Sequence, residues 1–210
     1  MQNLLTDIAG VRVGHAHDAA LASGVTAIIF DKPAVASLDI RGGGPGTRDS
    51  ALLDPVNTVD GIDGIALAGG SAFGLDAAGG MQGWLTEQGR GFAIGDALIP
   101  IVPGAIVFDL LNGGNKKWGR FSPYRDLGYA AAAAAGDRFA LGTVGAGYGA
   151  TTVNYKGGIG SASAELPNGV RVAAIAVTNA VGSVTVGDGP WFWAAPFETD
   201  GELGRYGTPP

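Results

Sequence analysis

The sequence predicts a layered α/β (α+β) chain folded as a single domain over residues 1–210. Two observations lead there. Apolar, β-prone runs such as Val25 to Phe30 and Val170 to Thr178 alternate with stretches of helical spacing. Between Ile65 and Leu85, a short strand-like run, a double glycine and an apolar helix follow one another directly. The chain is also long enough for one sizeable core, burying roughly 70% of the unfolded surface.

The elements can be justified in order. Val25 to Phe30 is a β-branched strand, closed by a turn over residues 31–36 that contains Pro33. Gly42 to Gly46 is a loop, and Ala51 to Leu53 with Val56 suit a short helix. Ile65 to Leu67 is a strand. Gly69 and Gly70 then allow a sharp turn and close approach to the backbone. Ser71 is a suitable N-cap. Leu75, Ala78, Met81 and Leu85 recur at helical spacing within a helix from about Phe73 to Glu87. Such a helix start points N–H groups at whatever sits over the turn, whether phosphate, carboxylate or oxyanion. The same residues also suit a tight strand-to-helix packing joint.

Arg90 to Ile94 begins another strand. Leu98 to Leu111 is mostly apolar, and Pro100 and Pro103 confine any helix to residues after 103. Residues 112–123 are a polar loop. Leu127 to Ala135 contains six successive alanines, which predicts a small, closely packed helix stopped at Gly136. Phe139 to Val144, Gly158 to Leu166, Val170 to Thr178 and Ser183 to Val186 read as strands. Both faces of the 170–178 run are largely apolar, which predicts burial between layers. Residues 197–210 are polar, lack periodicity and end in two prolines, so they read as an exposed tail.

Composition excludes several functions. The net charge is -6 and the densest basic pair is Lys116-Lys117, so neither nucleic acid nor an anionic membrane is an expected partner. Charged residues are only 15%, low for a free monomer, which points to burial against partners. Without cysteine there is no disulfide, thiolate metal site or thiol nucleophile. No leader-like segment and no long apolar run are evident, so the cytoplasm is the expected compartment. His15 and His17 sit two apart with only Asp18 beside them, too few ligands for a metal site. The run Gly145-Ala146-Gly147-Tyr148-Gly149-Ala150 mimics a dinucleotide fingerprint, but β-prone Thr151 to Val153 follow it, so no cofactor is expected. Arg41 and Arg48 flank the glycine loop. They could grip a carboxylate or pair with Asp39 and Asp49. Trp191, Phe192, Trp193 and Phe197 suit a core or subunit contact.

Seven motifs stand in a fixed order. They are residues 5–16 (LTDIAGVRVGHA), 39–49 (DIRGGGPGTRD), 67–78 (LAGGSAFGLDAA), 102–110 (VPGAIVFDL), 142–147 (GTVGAG), 156–163 (KGGIGSAS) and 177–183 (VTNAVGS). Together they resemble the DmpA/β-aminopeptidase family of self-processing peptidases, which includes nylon-oligomer hydrolases. The resemblance covers the chain up to about Trp191.

It implies an αββα sandwich completed by a second chain from the same precursor. The 197–210 tail would then lead to a self-cleavage point. The residue after the cut, Ser or Thr, would be the nucleophile, with its own α-amino group as base near neutral pH. The present chain would be the larger, N-terminal subunit. The resemblance also implies site residues. Asn179 would donate to the oxyanion, although an Asn there also suits a strand-end turn. Phe108 stands where many members have Tyr, and Asn154 where others have Lys; Lys156 could serve in place of the latter. Gly69, Gly70, Ser71, Arg41 and Gly43 are candidates for oxyanion or substrate binding. The expected activity is release of N-terminal residues from small peptides, amides or esters, including D-, β-residue or nylon-oligomer substrates. The expected assembly is a homo-oligomer of such two-chain units. Acyl transfer of the ornithine acetyltransferase kind, or a non-catalytic assembly or binding subunit, are the alternatives.

Overall fold

A tight hairpin opens the fold. In the computed structural model, which describes residues 1–210, β1 (Val11–Asp18) and β2 (Ser23–Ala34) pair antiparallel from Val11↔Phe30 to Asp18↔Ser23. Asp18 closes the turn, its Oδ1 accepting from the Ala20 and Leu21 amides at 2.7 and 3.0 Å. Next come β3 (Thr47–Arg48), β4 (Ile62–Ala68), a 3₁₀ turn (Ser71–Asp76) and helix α1 (Ala77–Glu87). They are followed by β5 (Phe92–Ile94), β6 (Ala97–Ile99), β7 (Gly104–Ile106) and helix α2 (Tyr124–Ala133). The last hairpin is β8 (Ile159–Glu165) with β9 (Arg171–Val177).

The main sheet has the order β1-β2-β4-β7-β3 and is antiparallel except for the β4–β7 pair. Its alternation decides the layers. Val25, Ala27, Ile29, Ala66 and Ala68 face α1 and α2, forming one core with Ala77, Ala78, Met81, Leu85, Ala131 and Ala132. On the opposite side, Leu67 and Ala105 look across a cleft toward Ile175 and Val177 of β9. The chain thus supplies a helical layer, a central sheet and a two-stranded sheet.

The two helices approach closely because both carry notches. Gly80 lies against the backbone of Arg125 and Tyr129, and Gly128 against the carbonyl of Ala77. Within the alanine run, Ala131 and Ala132 are the members buried in this core. The expected helix over 127–135 is therefore present, shifted to 124–133.

Several expectations are corrected. Residues 104–111 form no helix. Instead, 101–107 runs along β4: Asp63 donates its amide to Ile101 O, Ala66 to Pro103 O and Val107 to Ala68 O. A parallel strand takes a continuously apolar segment as readily as a helix does, and the two prolines keep the approach extended. Phe139 to Val144 is not a strand; only Gly142 bridges to Ile159, and Phe139 packs its ring edge on His15. Ser183 to Val186 makes a single bridge, Thr185 to Phe192. β2 continues past Pro33, with an irregular register between Ile29 and Ala34. β9 is not buried on both faces: Val172 is 54% exposed, because nothing in this chain packs on its outer side. The terminal segment is exposed but turned, with Glu198 Oε1 accepting from the amides of Leu203 (2.8 Å) and Arg205 (2.9 Å).

Gly128→Ala would drive a Cβ into the Ala77 carbonyl. Overpacking of this kind costs about 1–3 kcal/mol, which outweighs the roughly 1 kcal/mol that alanine gains as a helix former. We expect a lower melting temperature by circular dichroism. An unchanged melt would show that α1 and α2 separate without cost.

Candidate active site

Three segments meet beyond the sheet's C-terminal edge: the double-glycine turn after β4, residues 107–110 after β7, and Thr178-Asn179 after β9. Because β4 and β7 are parallel, their continuations emerge side by side. The Phe108 amide donates to Asn179 Oδ1 at 3.1 Å. That bond assigns the carboxamide orientation, leaving Nδ2 as a donor. Asn179 is the polar residue of a cleft of about 230 Å³ otherwise lined by apolar side chains, among them Leu67, Ala105, Ile106, Ile175 and Val177.

Behind the turn lies a polar cluster. Asp109 is fully buried. Its Oδ1 accepts from the Gly70 amide at 2.7 Å and its Oδ2 from Ser23 Oγ–H at 2.5 Å. The Tyr124 hydroxyl donates to Ser23 Oγ at 2.9 Å. Lys116 Nζ donates to Leu21 O and Ala22 O and stands 4.0 Å from Asp109 Oδ1. Burial pushes the Tyr124 phenol up to about 12, with the Asp109 charge adding to it. Burial pulls Lys116 below the usual lysine range, the Asp109 carboxylate opposing it.

The amides of residues 69–71 are all bonded within the fold, so of the turn's first amides only that of Ala72 is left without a partner. The Gly69 amide donates to Gly24 O (2.9 Å), the Gly70 amide to Asp109 and the Ser71 amide to Val107 O (3.1 Å). The protein's own carboxylate fills the place an anion would take. Ser71 caps nothing with its side chain. It has φ 53°, Gly70 with φ 81° is the cap residue, and residues 71–76 wind as a 3₁₀ turn rather than α-helix. The bonds of these three amides are those of a tight strand-to-turn packing joint.

Asn179, Phe108 and residues 69–71 are thus brought together. Phe108 contributes its backbone amide, while its ring is half exposed. Asn154 and Lys156 lie on an exposed hairpin in which Thr151 pairs with Lys156. The adjoining Gly157 and Gly158 pack on Thr178, one residue from Asn179. Arg41 and Gly43 stand apart on an open loop, and Arg41 is paired with Asp39 at 2.6 Å, the alternative its sequence neighbours offered. Arg48 takes Asp49 at 3.6 Å and Gln82 Oε1 at 3.0 Å. Sequence reading did not find Ser23, Lys116, Asp109 or Tyr124 as a group. Ser23 lies 86 and 101 residues from two of its partners, so no local spacing could signal them.

The layers and this edge define a fold of the Ntn hydrolase type. Solved structures similar to it include a Burkholderia sp. beta-aminopeptidase (TM-score 0.65, 25% identity), covering 86% of this chain and 53% of that one. Another is the l-aminopeptidase d-ala-esterase/amidase of Ochrobactrum anthropi, described as a variant of the ntn hydrolase fold (TM-score 0.63, 20% identity, 86% and 54% covered). The chain belongs to peptidase family S58, whose family model matches residues 3–200. Among curated relatives, an uncharacterized aminopeptidase of Mycobacterium tuberculosis (strain ATCC 25618 / H37Rv) is 50% identical over 190 residues, 87% of this chain and 54% of that protein. The 6-aminohexanoate-oligomer endohydrolase of Kocuria sp. (strain KY2) is 31% identical over 190 residues, 87% and 50% of the two chains. The chain therefore spans about half the length of the curated relatives it matches.

On the same face of the sheet as Leu67, but at the β1 edge, His15 ties a loop to β1 and β2. Its Nε2 meets Ala140 O at 3.0 Å and its Nδ1 meets Thr26 Oγ1 at 2.9 Å, while Thr26 Oγ1 accepts from the Ala146 amide at 3.0 Å. These partners suit a neutral ring with its proton on Nε2. Burial lowers the His15 pKa from its ordinary 6.5, the Ala140 carbonyl opposing and His17 adding slightly. The unfolded chain therefore binds this proton at higher pH than the folded chain. The His15 contribution is full above pH 6.5 and shrinks as pH falls below it. We expect the melting temperature to drop between about pH 7.5 and about pH 5.5, and to drop less in His15→Gln, which cannot titrate there. Equal drops in both proteins would remove His15 as the cause.

Proposed function

We propose that this chain is the larger part of an amide hydrolase of the aminopeptidase type, acting on small peptides, amides or esters. The observation that carries it is the Asn179 carboxamide, fixed by the Phe108 amide at 3.1 Å with its NH₂ left to donate at the mouth of an apolar cleft. In this reading a second chain from the same precursor supplies an N-terminal Ser or Thr. Its α-amino group takes the hydroxyl proton as the oxygen attacks the substrate carbonyl. The Asn179 NH₂ stabilises the oxyanion. Collapse expels the amine, which leaves with the proton, and water then hydrolyses the acyl-enzyme. The exposed outer face of β8–β9 supports a partner chain packing there. Trp193 and Phe197, 66% and 83% exposed, support further contacts between such units. Lys156, exposed near the same edge, is available to assist as a cation. The names of the relatives, an aminopeptidase and an oligomer endohydrolase, agree with amide-bond chemistry. No helix is long and apolar enough to cross a membrane, and we assign the enzyme to the cytoplasm.

Removing one oxyanion donor costs about 2.7–4 kcal/mol. In the full-length protein, Asn179→Ala should lower kcat by roughly 100-fold or more and slow precursor cleavage, which passes through a similar tetrahedral species. Denaturing mass spectrometry follows the cleavage into two polypeptides. A folded, cleaved variant with wild-type kcat would return Asn179 to a turn-making role.

Phe108→Tyr tests the neighbouring position. The ring is half exposed, so the added hydroxyl can reach water and should cost little stability. We expect a changed kcat or substrate preference with a melting temperature close to wild type. Unaltered constants for every substrate would place the Phe108 side chain outside the site.

A further inference from the structure

The 107–109 segment is fastened on both sides of Phe108. On one side the Val107 amide donates to Ala68 O at 2.8 Å and the Val107 carbonyl accepts from Ser71 at 3.1 Å. On the other the Asp109 carboxylate takes the Gly70 amide and the Ser23 hydroxyl. Beyond it the chain turns outward, and Leu111 is 83% exposed. Asp109 is the anchor nearest Phe108 on this side; the next is Asn112, whose Nδ2 donates to Gly149 O at 2.7 Å. The direction of the Phe108 N–H depends on both fastenings, and that N–H holds Asn179.

We propose that Asp109, braced by Ser23, is a positioning residue for the oxyanion donor. It holds the Phe108 peptide so that the Asn179 carboxamide presents Nδ2, and not Oδ1, to the cleft. The inference rests on the oxyanion reading of Asn179. Asp109 does not face the cleft and touches no reacting atom; it acts through Phe108. A carboxylate suits the task because two donors, the Gly70 N–H and the Ser23 O–H, arrive at its two oxygens. An amide offers one acceptor and would repel one of them. The Lys116 ammonium at 4.0 Å offsets the buried charge, and its own hydrogen bonds to Leu21 O and Ala22 O hold it in place.

The test uses the full-length protein. Asp109→Asn should lower kcat by about 10-fold or more with KM nearly unchanged, since only the donor's aim is disturbed. In the Asn179→Ala background the same change should cost nothing further, because both residues act through one group. Exchange of the Phe108 amide proton, followed by NMR, should be faster in Asp109→Asn. If that variant does not fold, Ser23→Ala removes one of the two braces and carries the same comparison with a smaller loss. Wild-type kcat in Asp109→Asn, or losses that add to those of Asn179→Ala, would overturn the proposal. Should Asn179→Ala itself leave kcat intact, the oxyanion reading fails. Phe108 exchange then decides the positioning claim alone, and unchanged exchange would sink it.

Discussion

One buried carboxylate organises the edge where Phe108 meets Asn179. A charge taken out of water is tolerated only when its oxygens are hydrogen-bonded and an opposite charge is near. Asp109 satisfies that demand by drawing in the backbone of Gly70, the hydroxyl of Ser23 and the ammonium of Lys116. These residues come from the turn after β4, the start of β2 and the loop before α2. Meeting the demand therefore fixes their relative positions. It also fixes what Gly70 can be. The Tyr124 ring fills the space a Cβ would need, and the residue sits at φ 81°. Only glycine meets both conditions without strain. The same carboxylate takes one of the turn's amides, that of Gly70. The amides of residues 69–71 are all bonded inside the fold, so none of the three is free to meet a ligand. In the function proposed above, the oxyanion donor is the Asn179 side chain.

Elements with long, regular patterns were legible in the sequence, and elements defined by their neighbours were not. Val25 to Phe30 and Val170 to Thr178 are β-prone apolar runs of strand length, and α1 carries apolar residues at helical spacing. Residues 104–111 carry no such period. They lie flat along β4, and that pairing is a tertiary fact. Ser71 shows the same limit at a smaller scale. Its residue type favours a helix cap, but the close packing of Gly69 on Asp109 and Ser23 forces a tighter turn first. At the site, a lone Asn before Ala-Val-Gly has no chemical signature of its own. Asn179 stood out only because seven motifs in order made a family resemblance, and its part in the site is a proposal. The Asp109 network offered less still, since its members are scattered across the chain and meet only in the folded state.

The position of Asn179 depends in turn on a sheet that could not stand alone. A single two-stranded hairpin is marginal in water. Here β8–β9 is laced to the beginning of the chain. Leu5 donates its amide to Ser161 Oγ at 2.8 Å, and Ser163 gives its amide to Asn3 Oδ1 at 2.8 Å. Ser163 Oγ–H also reaches Asp7 Oδ2 at 2.6 Å. That bond, with the Gln2 and Leu4 amides, holds the Asp7 carboxyl at a pKa of about 2. The exposure of Asp7 keeps its electrostatic worth small, so the lacing matters for register more than for strength. A one-residue slip of β9 against β8 would turn Ile175 and Val177 away from the cleft. It would carry Asn179 out of reach of the Phe108 amide.

Lacing at one end and packing at the other together set that register. Gly158 bonds with Thr178 at the near end, its amide to Thr178 Oγ1 at 3.3 Å and its carbonyl to the Thr178 amide at 3.0 Å. Gly157 lies so close to the Thr178 and Ala150 Cβ atoms that a side chain there would push the strands apart. The residue before Asn179 is thereby held on one side by the hairpin, while Asn179 itself is held on the other by the segment that Asp109 anchors. The donor is fixed from two independent sheets. That arrangement holds the carboxamide in one orientation, and in the function proposed above such preorganisation is what would give the donor its effect on a transition state.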